Sequence, residues 1–249
     1  MIFDRQELDN NTLITIYKKL LFARIVEEKM QTLLKHGTIT IWFTGMGTEA
    51  MAVGATMAMQ PDEYILPMYH SLGVFTTRDV PVSRLMAQLL GKPAGFTKGR
   101  NGLFNFCSQE HKLIGAQSHL GAQSTLATGI ALADILSSKN NATLVFAAEG
   151  STSEGDFHEA LNIAAVWNLP VIFLVENNSA ALSTTNNEQY RCERLADKAL
   201  GFGIEARHID GNNILEVYHT VHDIAEEIRL HPRPVLIECV TLKMPLDDD

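Results

Sequence analysis

Cysteine is scarce in this sequence. The 249 residues include three cysteines, an odd number, and no two of them form a Cys-x-x-Cys pair. This spacing gives no disulfide framework and favours free thiols in a reducing compartment. We therefore predict a cytoplasmic protein in which Cys107, Cys192 and Cys239 are unpaired.

Long hydrophobic runs and clusters of positive charge are also missing. The longest apolar stretches, residues 142–148 and 171–175, suit buried strands and are too short to span a bilayer. The formal net charge is −9 and no basic stripe stands out, which argues against nucleic acid as the main partner. The first residues show no basic region followed by an apolar core, so no secretory signal is expected. We expect neither nucleic acid nor a membrane among the partners.

Nothing in the composition divides the chain. It is 46% hydrophobic and 20% charged, a balance that supports one substantial core. No linker rich in proline, glycine or serine, no charge run and no internal repeat is visible. We therefore predict a single domain over residues 1–249.

The hydrophobic pattern alternates between strands and helices. Apolar positions at helical spacing predict helices at about residues 11–36, from 49 onward, 120–137, 154–167 and 213–230. Continuous apolar runs predict strands covered on both faces at residues 143–147, 171–175 and 235–241. Residues 91–109 are rich in glycine, lysine and asparagine and are predicted to form a long loop. The alternation predicts an α/β fold, a doubly wound parallel sheet with helices on both faces.

Two polar clusters follow consecutive predicted strands. Glu149, Gly150 and Ser151 come after the first strand, and Asn177 and Asn178 close the second. Ligands of such sheets bind beyond the carboxyl ends of the strands, where both clusters would meet. A carboxylate and an amide oxygen suit a hard divalent cation, and Gly150 would let the backbone approach a diphosphate. Ordinary turn chemistry is the alternative, because Gly-Ser and Asn-Asn are common after strands.

The stretch that begins at Glu149, EGSTSEGDFHEALNIAAVWNLPVIFLVENNSAALST, resembles the thiamine diphosphate motif of E1 alpha subunits of 2-oxo acid dehydrogenases. Glu149 and Asn178 are 29 positions apart, which matches the family spacing of the two side-chain ligands of magnesium. The resemblance extends from the GTEA turn at Gly47 through KGRNG at Lys98 to IDGNN at Ile209. It implies the thiamine diphosphate-binding fold, with thiamine diphosphate and Mg²⁺ as cofactors.

The resemblance assigns a metal site residue by residue. Glu149 takes the place of the commoner aspartate, as it does in branched-chain E1 alpha subunits, and Asn178 is the second side-chain ligand. Ala180 stands where the family usually has tyrosine, at a position that ligates through its backbone carbonyl. The resemblance therefore implies a Mg²⁺ site formed by these three residues.

The resemblance also implies which residues contact the rest of the cofactor. Gly150 and Ser151 would lie beside the diphosphate, and Ser118 and Leu120 match backbone positions that touch the aminopyrimidine ring. Tyr69 matches the tyrosine of a Tyr-Arg pair that grips the diphosphate. These five residues are predicted cofactor contacts, together with His70 beside Tyr69 and Lys243 near the C-terminus.

The sequence departs from the family pattern at three places. His70 replaces the arginine of the Tyr-Arg pair, which removes a permanently charged bidentate phosphate ligand from this cofactor-binding position. Ala148 replaces the first glycine of the motif. After the last strand the family has an arginine and a catalytic histidine, whereas this sequence reads LKMPLDDD, with Lys243 in place of the arginine. We expect that the chain lacks the usual C-terminal extension of the family: either it is shortened, or the histidine comes from elsewhere, or the role of that histidine has been lost.

His119 lies among the predicted cofactor contacts and is the candidate for catalysis. It would bind substrate or partly replace the missing histidine as an acid–base group, or else face away from the site. Trp42 and Phe43 precede the GTEA turn, a place that lines the substrate pocket in the family, and core packing is the alternative. His158 is predicted to pack rather than to catalyse.

The resemblance implies decarboxylation of a 2-oxo acid on the cofactor and acyl transfer to a lipoyl-bearing acyltransferase. In the family a beta-type E1 subunit supplies the glutamate that activates the aminopyrimidine. We therefore expect an alpha2beta2 assembly and no activity from this chain alone. One alternative is a transketolase-like mosaic that moves a two-carbon ketol unit from a ketose to a carrier protein. Another is a degenerate structural subunit, which the spacing of Glu149 and Asn178 opposes.

Overall fold

The computed structural model describes residues 2–115, 119–181 and 184–242, which form a layered α/β structure. Its α helices are α1 (Asn10–Lys35), α2 (Glu49–Ala58), α3 (Leu72–Thr77), α4 (Val82–Leu89), α5 (Ala122–Leu136), α6 (Gly155–Val166), α7 (Asn186–Gln189) and α8 (Ile214–Leu230). Its strands are β1 (Ile65–Leu66), β2 (Cys107–Ser108), β3 (Leu113–Ile114), β4 (Thr143–Ala148), β5 (Val171–Asn177), β6 (Ala180–Ala181), β7 (Thr184–Thr185), β8 (Glu205–Asp210) and β9 (Val235–Val240). Two 3-10 helices occupy Glu149–Ser153 and Leu195–Phe202.

Seven strands form one sheet in the order β2-β3-β1-β4-β5-β9-β8. Every neighbouring pair is parallel except β2 and β3. The predicted α/β fold with a parallel sheet is therefore confirmed, with one antiparallel edge as a difference. Residues 109–112 connect β2 to β3, and so short a connection cannot make a parallel crossover. β6 and β7 form a separate antiparallel ribbon.

Helices cover both faces of the sheet, as predicted. Side chains alternate along β4, so that Leu144 and Phe146 belong to one core cluster and Val145 and Ala147 to the other. The first cluster includes buried side chains of α1, α2, α3 and α8, and the second those of α5 and α6. Burial on both faces explains why the central strands are apolar throughout.

The start of α5 contacts the start of α6. α5 begins at Ala122, two residues later than predicted, because Gly121 before it has a φ of +85°. A residue in this left-handed conformation cannot be part of a right-handed helix, and glycine adopts the conformation most easily. A β-carbon at Gly121 would also lie 3.0 Å from the β-carbon of Glu154 and 3.2 Å from that of Asp156. The segment before α5 is therefore held beside the segment that follows β4.

The three cysteines are free thiols, which confirms the prediction. Cys107 is exposed, Cys192 is half-buried and Cys239 is buried. Burial raises the pKa of the Cys239 thiol well above its ordinary value, so this group stays neutral and unreactive. Among the described residues no helix is both long enough and apolar enough to cross a bilayer.

A buried ion pair joins α8 to the amino ends of the strands. The carboxylate of Glu63 accepts hydrogen bonds from Nε and Nη2 of Arg229, both at 2.8 Å. The same carboxylate accepts from the backbone N–H groups of Ala142 at 2.7 Å and Gln60 at 2.8 Å. Because Glu63 is fully buried and Arg229 nearly so, this pair ties three segments together inside the protein.

Candidate functional site

The polar clusters predicted at the strand ends lie side by side. β4 and β5 are adjacent and parallel, and Ala148 of β4 is paired with Glu176 of β5. Glu149 therefore follows one strand at the level where Asn177 and Asn178 close the other. The prediction that both clusters emerge at one edge of the sheet is confirmed.

The first cluster forms a tight turn. Glu149–Ser153 is a 3-10 helix, in which Glu149 and Ser151 are buried and Gly150 is half-buried. The hydroxyl of Thr152 donates to the carbonyl oxygen of Glu149 at 2.6 Å and closes the turn. The turn holds a carboxylate inside the protein at the end of a central strand.

Lys198 is a basic residue that contacts this turn and that no sequence motif points to. Its Nζ donates to the carbonyl oxygen and to the hydroxyl oxygen of Thr152, both at 2.9 Å. Burial lowers the pKa of its ammonium group, and the ring of Tyr190 lies beneath it. No local pattern pairs residues so far apart in the sequence. The contact places a positive charge against the Glu149–Ser153 helix.

The two asparagines of the second cluster have different roles. Asn177 is buried, and its Nδ2 donates to Oε1 of Glu238 at 2.7 Å while its Oδ1 accepts from the backbone N–H of Ser179 at 3.1 Å. Asn178 is half-buried, and its Nδ2 donates to Oε1 of Glu176 at 3.3 Å. A carboxylate can only accept, so the amide nitrogen of Asn178 faces Glu176 and its Oδ1 lies on the other side. Asn178 is the asparagine whose oxygen suits a cation.

Glu176 is a buried carboxylate that connects the second cluster to Tyr69 and His70. It is 0% exposed, and its Oε2 lies 3.0 Å from Nε2 of the buried His70. The ring of Tyr69 packs edge-on against that of His70, at 5.0 Å between centroids. Burial raises the pKa of the Tyr69 phenol, and the carboxylates of Glu176 and Glu149 raise it further. Two carboxylates from neighbouring strand ends therefore act on one phenol.

A small cleft opens beside the Glu149–Ser153 helix. It brings together four of the residues predicted to form the site: Tyr69, His119, Leu120 and Ser151. Gln123 also lines the cleft, and its Nε2 donates to the carbonyl oxygens of Leu66 at 2.8 Å and Phe146 at 2.9 Å. Gln123 thereby fixes the cleft to the ends of β1 and β4.

His119 lies at the rim of the cleft. Its side chain is 74% exposed, and its Nε2 is 3.7 Å from Oδ2 of Asp156, which is itself 51% exposed. Such an exposed pair contributes little to holding the ring in place. His158, in contrast, packs against the rings of Phe157 and Phe202. The structure brings His119 to the cleft and gives His158 aromatic neighbours.

Trp42 packs in the core and does not line the substrate pocket, so core packing is the alternative that holds for this residue. It is 9% exposed, and its Nε1 donates to Oε2 of Glu27 at 2.8 Å. Glu27 also accepts from the hydroxyl of Thr44 at 3.2 Å and from the backbone N–H of Gly45 at 3.0 Å. Burial raises the pKa of Glu27, while these hydrogen bonds lower it. Glu27 therefore holds the segment before α2 against α1. The sequence signal for this role is a glutamate on the apolar stripe of α1.

Phe43 lines a pocket of about 280 Å³ together with Tyr69, Leu103, Asn105 and Leu120. Its ring packs edge-on against Tyr69, at 4.8 Å between centroids. Tyr69 and Leu120 line both this pocket and the cleft, so the two cavities adjoin. The residues that line the pocket are apolar apart from the Asn105 amide and the Tyr69 hydroxyl, and none of them is charged.

The remaining predicted site residues are Ser118, Lys243 and Ala180. Ser118 and Lys243 lie outside the described residues. Ala180 begins β6, where its backbone is paired with Thr185, and β6 contacts the Glu149–Ser153 helix. Within the described ranges, no group of three His, Cys, Asp or Glu side chains could hold a metal ion. A cation at this edge would therefore need amide and backbone oxygens as well as a carboxylate.

Comparison with known proteins identifies the family. Residues 17–245 match the family described as Dehydrogenase E1 component. The chain is 35% identical over 247 residues to the 2-oxoisovalerate dehydrogenase subunit alpha of Bacillus subtilis, which covers 97% of this chain and 75% of that protein.

Two further relatives agree with this assignment. Identity is 32% with the mitochondrial 2-oxoisovalerate dehydrogenase subunit alpha 1 of Arabidopsis thaliana, over 93% of this chain and 49% of that protein. It is 31% with the pyruvate dehydrogenase E1 component subunit alpha of Zymomonas mobilis, over 96% of this chain and 68% of that protein. The chain spans about half to three quarters of the length of these relatives. It belongs to the dehydrogenase E1 component family, among the alpha subunits of 2-oxo acid dehydrogenases.

Proposed function

We propose that this chain is the alpha-type subunit of a 2-oxo acid dehydrogenase and that the edge formed by β4 and β5 binds Mg²⁺ and the diphosphate of thiamine diphosphate. The family uses thiamine diphosphate, and the relatives are alpha subunits named for 2-oxoisovalerate and pyruvate. The observation that carries the proposal is the buried carboxylate of Glu149 directly after β4, while Asn178 directly follows the adjacent strand β5.

The donor set at this edge fits a hard divalent cation. Glu149 and Glu176 bring two buried carboxylates to the ends of neighbouring strands. Burying negative charge is costly unless positive charge compensates it. Mg²⁺ prefers oxygen ligands and binds through one or two carboxylates together with phosphate oxygens. We assign Glu149, Asn178 and the backbone carbonyl of Ala180 as its protein ligands.

The residues around the metal site fit the rest of the cofactor. Gly150 and Ser151 would contact the diphosphate from the turn. Lys198, which contacts this turn from the 3-10 helix Leu195–Phe202, would supply a cation where His70 replaces the family arginine. Tyr69 and Leu120 line the cleft beside them, which suits contacts to the diphosphate and to the aminopyrimidine ring. Ser118 and Lys243 remain predicted contacts.

The bound cofactor would supply the carbon nucleophile and the electron sink for decarboxylation of a 2-oxo acid. The residues of this chain would hold the diphosphate and orient the aminopyrimidine ring at Leu120. The pocket at Phe43 would offer the substrate an uncharged surface. His119 is the proposed proton carrier at the rim, where its exposure leaves it free to move towards a substrate. A beta-type subunit would complete the site in an alpha2beta2 assembly, and a lipoyl-bearing acyltransferase would receive the acyl group.

The Phe43 pocket supports a 2-oxo acid with an aliphatic side chain over a ketose. A polyhydroxylated substrate needs several hydrogen-bonding partners, and the pocket offers one amide and one phenol. We expect the assembly of this chain with its beta-type partner to turn over aliphatic 2-oxo acids and to leave keto sugars unreacted. A substrate screen that reads both decarboxylation and ketol transfer measures this. Ketol transfer alone would favour the transketolase-like alternative.

Calorimetry tests the cofactor site itself. We expect thiamine diphosphate to bind the chain assembled with its beta-type partner only when Mg²⁺ is present, and Asn178→Ala to weaken this Mg²⁺-dependent binding. Asn140→Ala, an exposed asparagine before β4, is the matched control and should bind as the parent does. Absence of binding in the parent assembly would point to a structural subunit instead.

A further inference from the structure

We propose that His70 is a positioning residue, which acts through Glu176 to fix the amide of Asn178 with its oxygen towards the cation. The inference rests on the proposed function, because it requires Asn178 to ligate Mg²⁺. In this role His70 and Glu176 are not ligands of the metal themselves. His70 acts on the metal site through Glu176 and does not contact the diphosphate directly.

The two oxygens of Glu176 are each engaged by a different group. Oε2 lies 3.0 Å from Nε2 of His70, and Oε1 accepts from Nδ2 of Asn178 at 3.3 Å. A carboxylate only accepts hydrogen bonds, so His70 presents Nε2–H and Asn178 presents its amide nitrogen. Because Glu176 is 0% exposed, water does not compete for either bond. The three side chains therefore form one connected chain of hydrogen bonds.

The bond to Glu176 decides which end of the Asn178 amide is offered to a ligand. With Nδ2 directed at the carboxylate, Oδ1 lies on the opposite side of the amide group. A half-turn about the last side-chain bond would present an NH₂ group, which repels a cation. Outer-shell hydrogen bonds of this kind orient metal ligands, and their loss typically costs about 10–100-fold in metal affinity.

The surroundings of His70 keep its ring in place for this role. The ring is packed edge-on by Tyr69, and the histidine is 6% exposed. A β-carbon at Gly45 would lie 2.3 Å from the carbonyl oxygen of His70, so the turn before α2 packs directly on its backbone. Asn177 cannot take over from Asn178, because its Oδ1 already accepts from the backbone N–H of Ser179 at 3.1 Å and from Nδ2 of Asn186 at 3.0 Å.

The experiment measures Mn²⁺ affinity by electron paramagnetic resonance at fixed thiamine diphosphate, on the chain assembled with its beta-type partner. We expect His70→Ala to weaken Mn²⁺ binding about tenfold. His70→Gln, which keeps an N–H donor for Glu176, should bind close to the parent. His70→Phe, which fills the same space without a donor, should bind like His70→Ala and replaces it if that variant does not fold.

A double-mutant cycle separates this role from direct contact. Because His70 acts through Asn178, His70→Phe combined with Asn178→Ala should bind Mn²⁺ no more weakly than Asn178→Ala alone. Additive losses, or an equal loss of affinity for inorganic pyrophosphate without metal, would show that His70 touches the diphosphate and would overturn the inference. So would a parent that binds Mn²⁺ no better than His70→Phe. A parent that binds neither Mn²⁺ nor thiamine diphosphate would overturn the proposed function as well.

Discussion

Replacing Arg229 by alanine is expected to lower the free energy of unfolding by about 3–5 kcal/mol, the usual cost of breaking a buried ion pair by removing one partner. The substitution would leave the carboxylate of Glu63 inside the protein without its guanidinium, although the backbone bonds from Ala142 and Gln60 remain. Two hydrogen bonds of 2.8 Å would be lost together. Urea denaturation followed by circular dichroism measures the change.

Arg233 provides the matched control for this prediction. Arg229 pairs with Glu226 as well as with Glu63, and Arg233 likewise pairs with two glutamates, Glu205 and Glu227. The side chain of Arg233 is 32% exposed, however, and those of its partners are 27% and 58% exposed. Exposed pairs are typically worth about 0–1 kcal/mol, so Arg233→Ala should change stability little. Equal losses in the two variants would mean that burial does not govern the strength of these pairs.

The sequence predicted the elements whose signal is local. The runs that became β4, β5 and β9 are apolar throughout because both faces are covered, and α1 and α8 have apolar positions at helical spacing. Strands of two residues, such as β1 and β3, are too short to show a period. β8 was missed for another reason: it is an edge strand, EARHID, whose exposed polar side chains look like a loop.

The candidate site shows the same division. The clusters that begin at Glu149 and end at Asn178 could be predicted to meet, because parallel strands joined by one helix end at the same edge of a sheet. The partners of those residues could not be predicted in this way. His70 and Glu176 are separated by 106 positions, and Lys198 and Thr152 by 46. Hydrogen bonds between distant segments depend on packing that no local pattern encodes.

Strand order and family spacing give different information about Glu149. Strand order explains why a carboxylate lies at this edge, whereas the assignment as a magnesium ligand comes from the family spacing to Asn178. The burial of Glu149 agrees with both, because a carboxylate that is 1% exposed is costly to bury and a bound cation offsets that cost. Removing this side chain is therefore the most direct test of the site.

Glu149→Ala is expected to weaken Mg²⁺-dependent binding of thiamine diphosphate by more than about 100-fold, beyond the loss typical of an outer-shell partner. The variant removes the one charged side chain in the proposed ligand set, leaving an amide and a backbone carbonyl to hold the cation. Calorimetry on the assembly with the beta-type partner measures the loss, and Glu149→Asp should restore most of the affinity because it keeps the carboxylate.

Glu154→Ala is the control for charge alone, since Glu154 is an exposed acid directly before α6, five positions further along the chain. It should bind the cofactor as the parent does. A comparable loss in Glu154→Ala would mean that the field of the whole acidic segment matters and that Glu149 is not a ligand. Glu149→Ala that kept its full Mg²⁺-dependent affinity would move the metal to other oxygens, with Glu176 as a second buried carboxylate at the same sheet edge.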